Sequence, residues 1–250
     1  MAELWDGDAE LFALAKAELF TAVVGDVMDQ LGFLHQFLPP QIRPLDPGMV
    51  VIGRAMPVIG TDSVAETPWY GVEGADAQAS GRSHIPTRKS GNPVITKPFG
   101  LMLEALDDLQ RNEVYLSIGG SPQYAVWGEL MSARAITLGA AGAVLAGYTR
   151  DTHGILELGF PTFALGSYAQ DQSPRGKVID FRCPVEIAGV RVDPGDIVFG
   201  DIDGVCAVPR KAERDVFVKA IEKARGEKQV QEAIRKGMSA REAFERYGIL

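Results

Sequence analysis

Cysteine and histidine are scarce: two of the first (Cys183, Cys206) and three of the second (His35, His84, His153) in 250 residues. Two cysteines make no disulfide framework, and both sit in apolar, strand-like runs, so they read as reduced core thiols. The histidines are widely spaced, without H-E-x-x-H or paired Cys/His spacing, which argues against structural zinc. Positive charge is also short: 25 Lys and Arg face 33 Asp and Glu, for a net charge of −8. The basic residues are scattered, so a nucleic-acid partner is not expected. No apolar run approaches the roughly 20 residues that span a bilayer. The acidic opening, MAELWDGDAE, does not resemble a secretory leader. These absences predict a soluble, cytoplasmic protein with neither nucleic-acid nor membrane partners. Catalytic motifs are missing too. Ser121 and Ser167 lack a G-x-S-x-G context. Gly139-x-x-Gly142-x4-Gly147 follows a helix and enters a strand, the wrong order for a dinucleotide turn.

What is present suits one domain over residues 1–250, with 46% hydrophobic and 23% charged residues and a core of normal proportions. Apolar spacing predicts two helices between about 10 and 31, divided by Thr21 as an N-cap. A strand follows over 49–55 and 57–59, interrupted near Gly53. Residues 61–98 lack periodicity and read as a long inserted loop. It could be a surface insertion, or it could close over a site with Trp69, Tyr70, Arg82, His84 and Arg88. Next come a helix over 100–109, a strand over 114–118, a loop to 127, a helix over 129–138 and strands over 143–146 and 161–164. The run VEIAGVRVDPGDIVFGDIDGVCAVP holds several short strands joined by Asp-Pro-Gly and Asp-Gly turns. Its Asp196, Asp201 and Asp203 sit among turn formers and read as structural, as do Asp26 and Arg43. A helical tail, 211–250, begins with a long amphipathic helix to 236. The order predicts an α/β sandwich with a mixed sheet.

The richest segment runs from Trp127 to Asp151. Gly128 opens a helix whose first amides, on Glu129, Leu130 and Met131, lack intrahelical partners and favour anions. The strand over 143–146 runs back toward that end, delivering Arg150 and Asp151. Arg suits bidentate capture of a carboxylate or enolate, and Asp with waters suits Mg²⁺ or Mn²⁺. Taken alone, an Arg-Asp dipeptide after a strand is usually a solvated surface pair, and that reading stays open for Arg150-Asp151. His153, two residues on, is either an acid/base group or an ordinary loop polar residue.

Glu129-x20-Arg150-Asp151 resembles the Asp-x20-Arg-Asp signature of the 4-hydroxy-4-methyl-2-oxoglutarate aldolases, in the superfamily that includes the regulator of ribonuclease activity A (RraA). Thr21-Ala-Val-Val-Gly-Asp26 with Leu31-Gly32, Ile42-Arg-Pro-Leu45, Gly53-Arg-Ala55, Pro194-Gly-Asp196 and Asp203-Gly-Val205 through Pro209 extend the likeness over about three quarters of the chain. The resemblance implies a swivelling β/β/α sandwich, assembled as a homotrimer or homohexamer with sites between subunits. It implies a class II, divalent-metal-dependent lyase that cleaves a C–C bond of a small 2-oxo acid through a pyruvate enolate, as aldolase, oxaloacetate decarboxylase or both. Arg150 would bind the keto-acid portion, Asp151 the metal, and Gly128, Leu130 and Met131 the carboxylate. Glu129 stands where the aldolases carry Asp, one methylene longer. A neighbouring subunit would add a glutamate, matched to Glu227 with Glu232 as rival. The lysines (Lys16, Lys89, Lys97, Lys177 and those of the tail) lie far from this segment in sequence, which disfavours a Schiff base. The alternative is a non-enzymatic, protein-binding regulator of the ribonuclease-regulator branch.

Overall fold

The computed structural model describes residues 4–63 and 92–248. Two helices, α1 (Asp8–Glu18) and α2 (Thr21–Gln30), precede the short β1 (Arg43–Pro44) and the long β2 (Val51–Asp62). Then come α3 (Pro93–Thr96), α4 (Met102–Asp107), β3 (Glu113–Gly119), β4 (Ala125–Trp127), α5 (Glu129–Leu138), β5 (Gly142–Leu145) and β6 (Tyr148–Thr149). The remainder is α6 (Thr152–Leu158), β7 (Thr162–Ala164), β8 (Gly176–Phe181), β9 (Val185–Ile187), β10 (Val190–Val192), β11 (Ile197–Asp201), β12 (Gly204–Val208), α7 (Glu213–Arg235) and α8 (Ala240–Tyr247).

β2 organises the sheet. It runs parallel to β3 along one edge; along the other its first half pairs with β11 and its second half with β8, both antiparallel. The full order is β1-β7-β5-β3-β2-β11-β12. The ends nearly meet, because Arg43 of β1 donates to the carbonyls of Ile202 and Asp203 in the β11–β12 turn, at 2.9 and 2.7 Å.

Strand periodicity assigns the layers. Val114, Leu116, Val144, Val198, Val205 and Ala207 face inward, under Val185, Ile187, Val190 and Val192 of the β9–β10 hairpin. Their sequence neighbours face outward, as alternation requires. Ile197, Phe199, Cys206 and Val208 meet α1, α2 and α7, while Tyr115, Ala143 and Leu145 meet the α4–α6 side. Hairpin, sheet and helices are the three layers of a β/β/α sandwich.

Several boundaries depart from the sequence expectations. β2 passes through Gly53 without interruption: a Cβ there would lie 2.3 Å from the Asn112 carbonyl oxygen, so the glycine admits the neighbouring chain. Thr21 is the first residue of α2 and not its N-cap. Its hydroxyl and amide both donate to Asp201, at 2.7 Å each, so the cap comes from β11 instead. Asp201 and Asp196 are structural, as the turn chemistry suggested; Asp196 accepts from the amides of Asp193 and Arg210 at 2.9 and 2.8 Å. The expected loop over 61–98 gives way at both ends, where β2 reaches Asp62 and α3 occupies Pro93–Thr96; residues 64–91 lie outside the described residues. Trp69, Tyr70, Arg82, His84 and Arg88 lie outside the described residues. α6 and β8 had no sequence forecast. No helix among the described residues is long and apolar enough to cross a membrane.

Only one of the two cysteines is a core thiol. Cys206 is fully buried in β12, where burial and the nearby Asp201 push its thiol pKa up. Cys183 is half-buried in a bend after β8, and desolvation and Asp180 raise its pKa as well. Since the thiolate is the reactive species, an aromatic disulfide reagent should titrate at most one thiol slowly in the native protein. The second should appear only in denaturant. Two fast native thiols would contradict the burial of Cys206.

Candidate active site

α5 begins where the sequence placed it because Trp127 anchors its entry. The indole is fully buried, its ring 4.8 Å from that of Tyr115, and its N–H donates to Ser132 Oγ at 2.8 Å. Ser132 N makes the first i→i−4 bond, to Gly128 O at 3.1 Å. The amides of Glu129, Leu130 and Met131 precede that bond and have no intrahelical acceptor. At the other end Gly139 closes α5 in the left-handed conformation.

A second small sheet delivers the Arg-Asp pair. β4 and β6 run parallel, and Arg150 N donates to Trp127 O at 2.9 Å, which sets residues 150 and 151 against the start of α5. Asp151 takes a left-handed backbone (φ 54°) at the head of α6 and does not cap that helix with its side chain. Non-glycine residues in that region are uncommon, and such geometry gathers at functional sites. The carboxylate turns to Gly128 instead: a Cβ on Gly128 would stand 2.9 Å from Asp151 Oδ2.

The Arg150 guanidinium lies between two acids. Nε is 3.4 Å from Asp151 Oδ2, and Nη1 is 3.0 Å from Asp171 Oδ1. Around them opens a cleft of about 140 Å³ lined by apolar side chains, among them Phe99, Met102 and Met131, and by Arg150, Asp151, Asp171 and Gln172. It is smaller than sites for drug-sized ligands, which run from about 300 Å³ upward, and suits an acid of a few heavy atoms. Leu130, at its rim, is 83% exposed. The structure thus brings Gly128, Leu130, Met131, Arg150 and Asp151 together.

Other candidates lie elsewhere in the single chain. Glu129 packs its carboxyl against Gly154, where a Cβ would come within 2.3 Å, and does not line the cleft. Glu227, on α7, sits near Lys223 (3.8 Å) and lines a separate groove with Glu18 and Phe20; Glu232 is exposed. His153 is 89% exposed beside Glu157. Lys177 is buried, which lowers its pKa, but its ammonium donates to the carbonyls of Lys97 and Pro98 at 2.7 and 2.6 Å. Asp171 went unnoticed in the sequence; it lies 20 residues beyond Asp151, in a segment without a motif.

Among the described residues no three His, Cys, Asp or Glu side chains cluster as a closed metal cage. Asp151 offers hard oxygen donors on a carboxylate 45% exposed. That donor set fits an ion such as Mg²⁺ or Mn²⁺ that takes few protein ligands and keeps several waters.

The family model RraA-like (Aldolase/RraA) matches residues 21–207. The chain belongs to the RraA-like family. Protein DlpA of Legionella pneumophila is 27% identical over 228 residues, 91% of this chain and 32% of that protein. A Halalkalibacterium halodurans protein named "Putative 4-hydroxy-4-methyl-2-oxoglutarate aldolase" is 30% identical over 131 residues, 52% of this chain and 62% of that protein. The chain therefore spans about a third of the length of the first relative and 62% of the second. In fold it is similar to a Streptomyces coelicolor protein described as an unusual member of the RNase ES inhibitor RraA protein family. The TM-score there is 0.68 at 21% identity, over 91% of this chain and 98% of that one. The aldolase name thus belongs to a relative in sequence, and the ribonuclease-inhibitor name to a protein similar in fold.

Proposed function

We propose that this RraA-like protein is a divalent-metal-dependent lyase that cleaves a C–C bond of a small 2-oxo acid by way of a pyruvate enolate. The observation carrying this reading is the placement of Arg150 and the uncapped Asp151 carboxylate against Gly128 and the open start of α5. In retro-aldol cleavage the 4-hydroxyl proton leaves, the C3–C4 bond breaks, and its electron pair becomes the enolate of pyruvate. Protonation at C3 completes the reaction. Decarboxylation of oxaloacetate passes through the same enolate. The α5 amides of Leu130 and Met131 would hold the substrate carboxylate, and Arg150 would face the oxygen on which negative charge grows. Mg²⁺ or Mn²⁺ on Asp151 would supply Lewis-acid polarisation of the 2-keto group. Glu129, and Glu227 from a neighbouring copy, are the carboxylates assigned to the proton steps. Neither lines the cleft of one chain; Glu227 would reach it from a neighbouring copy in a homotrimer or homohexamer, and Glu129 would have to leave Gly154 to do so.

The test is pyruvate release from oxaloacetate, 4-hydroxy-4-methyl-2-oxoglutarate and 4-hydroxy-2-oxopentanoate, with Mg²⁺ or Mn²⁺ and again with EDTA. Metal-dependent pyruvate from any of the three is the expected result. No turnover from the assembled oligomer, together with no Mn²⁺ binding, would overturn the reading and leave the protein-binding regulator in its place.

Gly128 offers an independent handle. In Gly128→Ala the new methyl must push Asp151 Oδ2 away from its 2.9 Å approach. Disturbing the support of a metal ligand typically costs about 10–100-fold in affinity. The Mn²⁺ concentration for half-maximal activity should rise accordingly; an unchanged value would remove Asp151 from the metal site.

A further inference from the structure

Arg150 is the one cation among the described residues lining the cleft, and two carboxylates already face it. Asp171 is the acid whose role the lyase reading does not explain. It meets Arg150 Nη1 at 3.0 Å, its side chain is 41% exposed, and it lines the cleft together with Gln172 and the apolar Phe99 and Met102. Arg175 donates to the Asp171 main-chain carbonyl at 3.0 Å, yet lines the neighbouring groove with Asp62 and Tyr124. A substrate that gives one carboxylate to Arg150 and the α5 amides would therefore carry its remainder past apolar side chains and a negative charge. A second carboxylate there would be repelled by Asp171 and would meet no second cation among the described residues of the cleft wall, and repulsion of this kind is a common source of specificity. An uncharged tail escapes that cost and gains apolar contact.

We infer that Asp171 is a specificity-determining residue that turns the cleft against dicarboxylates and selects 2-oxo acids with an uncharged tail. The inference rests on the proposed 2-oxo acid site and narrows its substrate class. It is tested by calorimetric titration of the full-length, assembled protein with two ligands of equal chain length, in the presence of Mg²⁺. One is 2-oxopentanoate, with a methyl end; the other is 2-oxoglutarate, with a carboxylate end. The native protein should bind 2-oxopentanoate at least tenfold more tightly. Asp171→Asn keeps an acceptor for Arg150 but removes the charge, and so should bring the ratio within about threefold of unity; Asp171→Ala should do likewise. Neutralising Asp171 strengthens any carboxylate at Arg150, so the ratio, and not either affinity alone, reads the tail. A native preference for 2-oxoglutarate, a ratio unmoved by both substitutions, or no binding of either ligand would overturn the inference. The expected ratio without pyruvate release from any substrate would retain the ligand class and defeat the lyase reading. Pyruvate release with an unmoved ratio would do the reverse.

Discussion

Arg150→Ala is expected to lower kcat/KM for pyruvate release by about a thousandfold while barely changing stability. Removing one preorganised donor to a developing oxyanion costs about 10²–10³ in rate. Arg150 would also bind the substrate carboxylate, which puts the loss at the upper end. Its side chain is 39% exposed, and exposed substitutions usually stay within about 0.5 kcal/mol. The thermal midpoint should move by no more than about 2 °C. Arg150→Lys should recover only part of the rate, because a point charge lacks the guanidinium fork. Single-turnover pyruvate assays and a thermal melt on the same samples decide the matter. Full activity in Arg150→Ala would remove the cleft from the chemistry.

The second large effect is on folding. Asp201 is buried and accepts from the Thr21 amide and hydroxyl, at 2.7 Å each, and from the Asp203 amide at 2.9 Å. Asp201→Ala strands those donors, one of them at the start of α2. Each unsatisfied buried group costs about 1–3 kcal/mol, and water entering the gap recovers some of it. A loss of about 3 kcal/mol follows, which for a chain of this size lowers the thermal midpoint by about 6–12 °C. Denaturant titration should show the same loss as a lower midpoint at unchanged slope. Asp201→Asn keeps one acceptor and should fall between. A midpoint unchanged in Asp201→Ala would mean that the helix start is capped by other means.

Elements whose signal is local were readable from the chain. α5 runs over 129–138, the range its spacing indicated. The strands over 113–119 and 142–145 lie within a residue or two of their apolar runs. Misreadings came where a distant segment supplied the answer. Gly53 looked like a strand breaker and is a point of close approach. Thr21 looked like a cap and is itself capped across 180 residues. β8 pairs with the far half of β2; it is buried over Gly176, Lys177 and Val178 and exposed or half-buried over the rest, so its own sequence carries little alternation.

The sequence by itself determined the alternating α/β order, the open amide end after Gly128 and the arrival there of Arg150 and Asp151. Periodicity, caps and turn residues act over a few positions and need no partner. Only the tertiary structure decided that the Asp151 carboxylate forsakes its own helix for Gly128, that Glu129 turns to Gly154, and that Asp171 shares Arg150. Each of these depends on which backbone segments pack side by side, a consequence of sheet pairing and burial across long stretches of chain that no local pattern encodes.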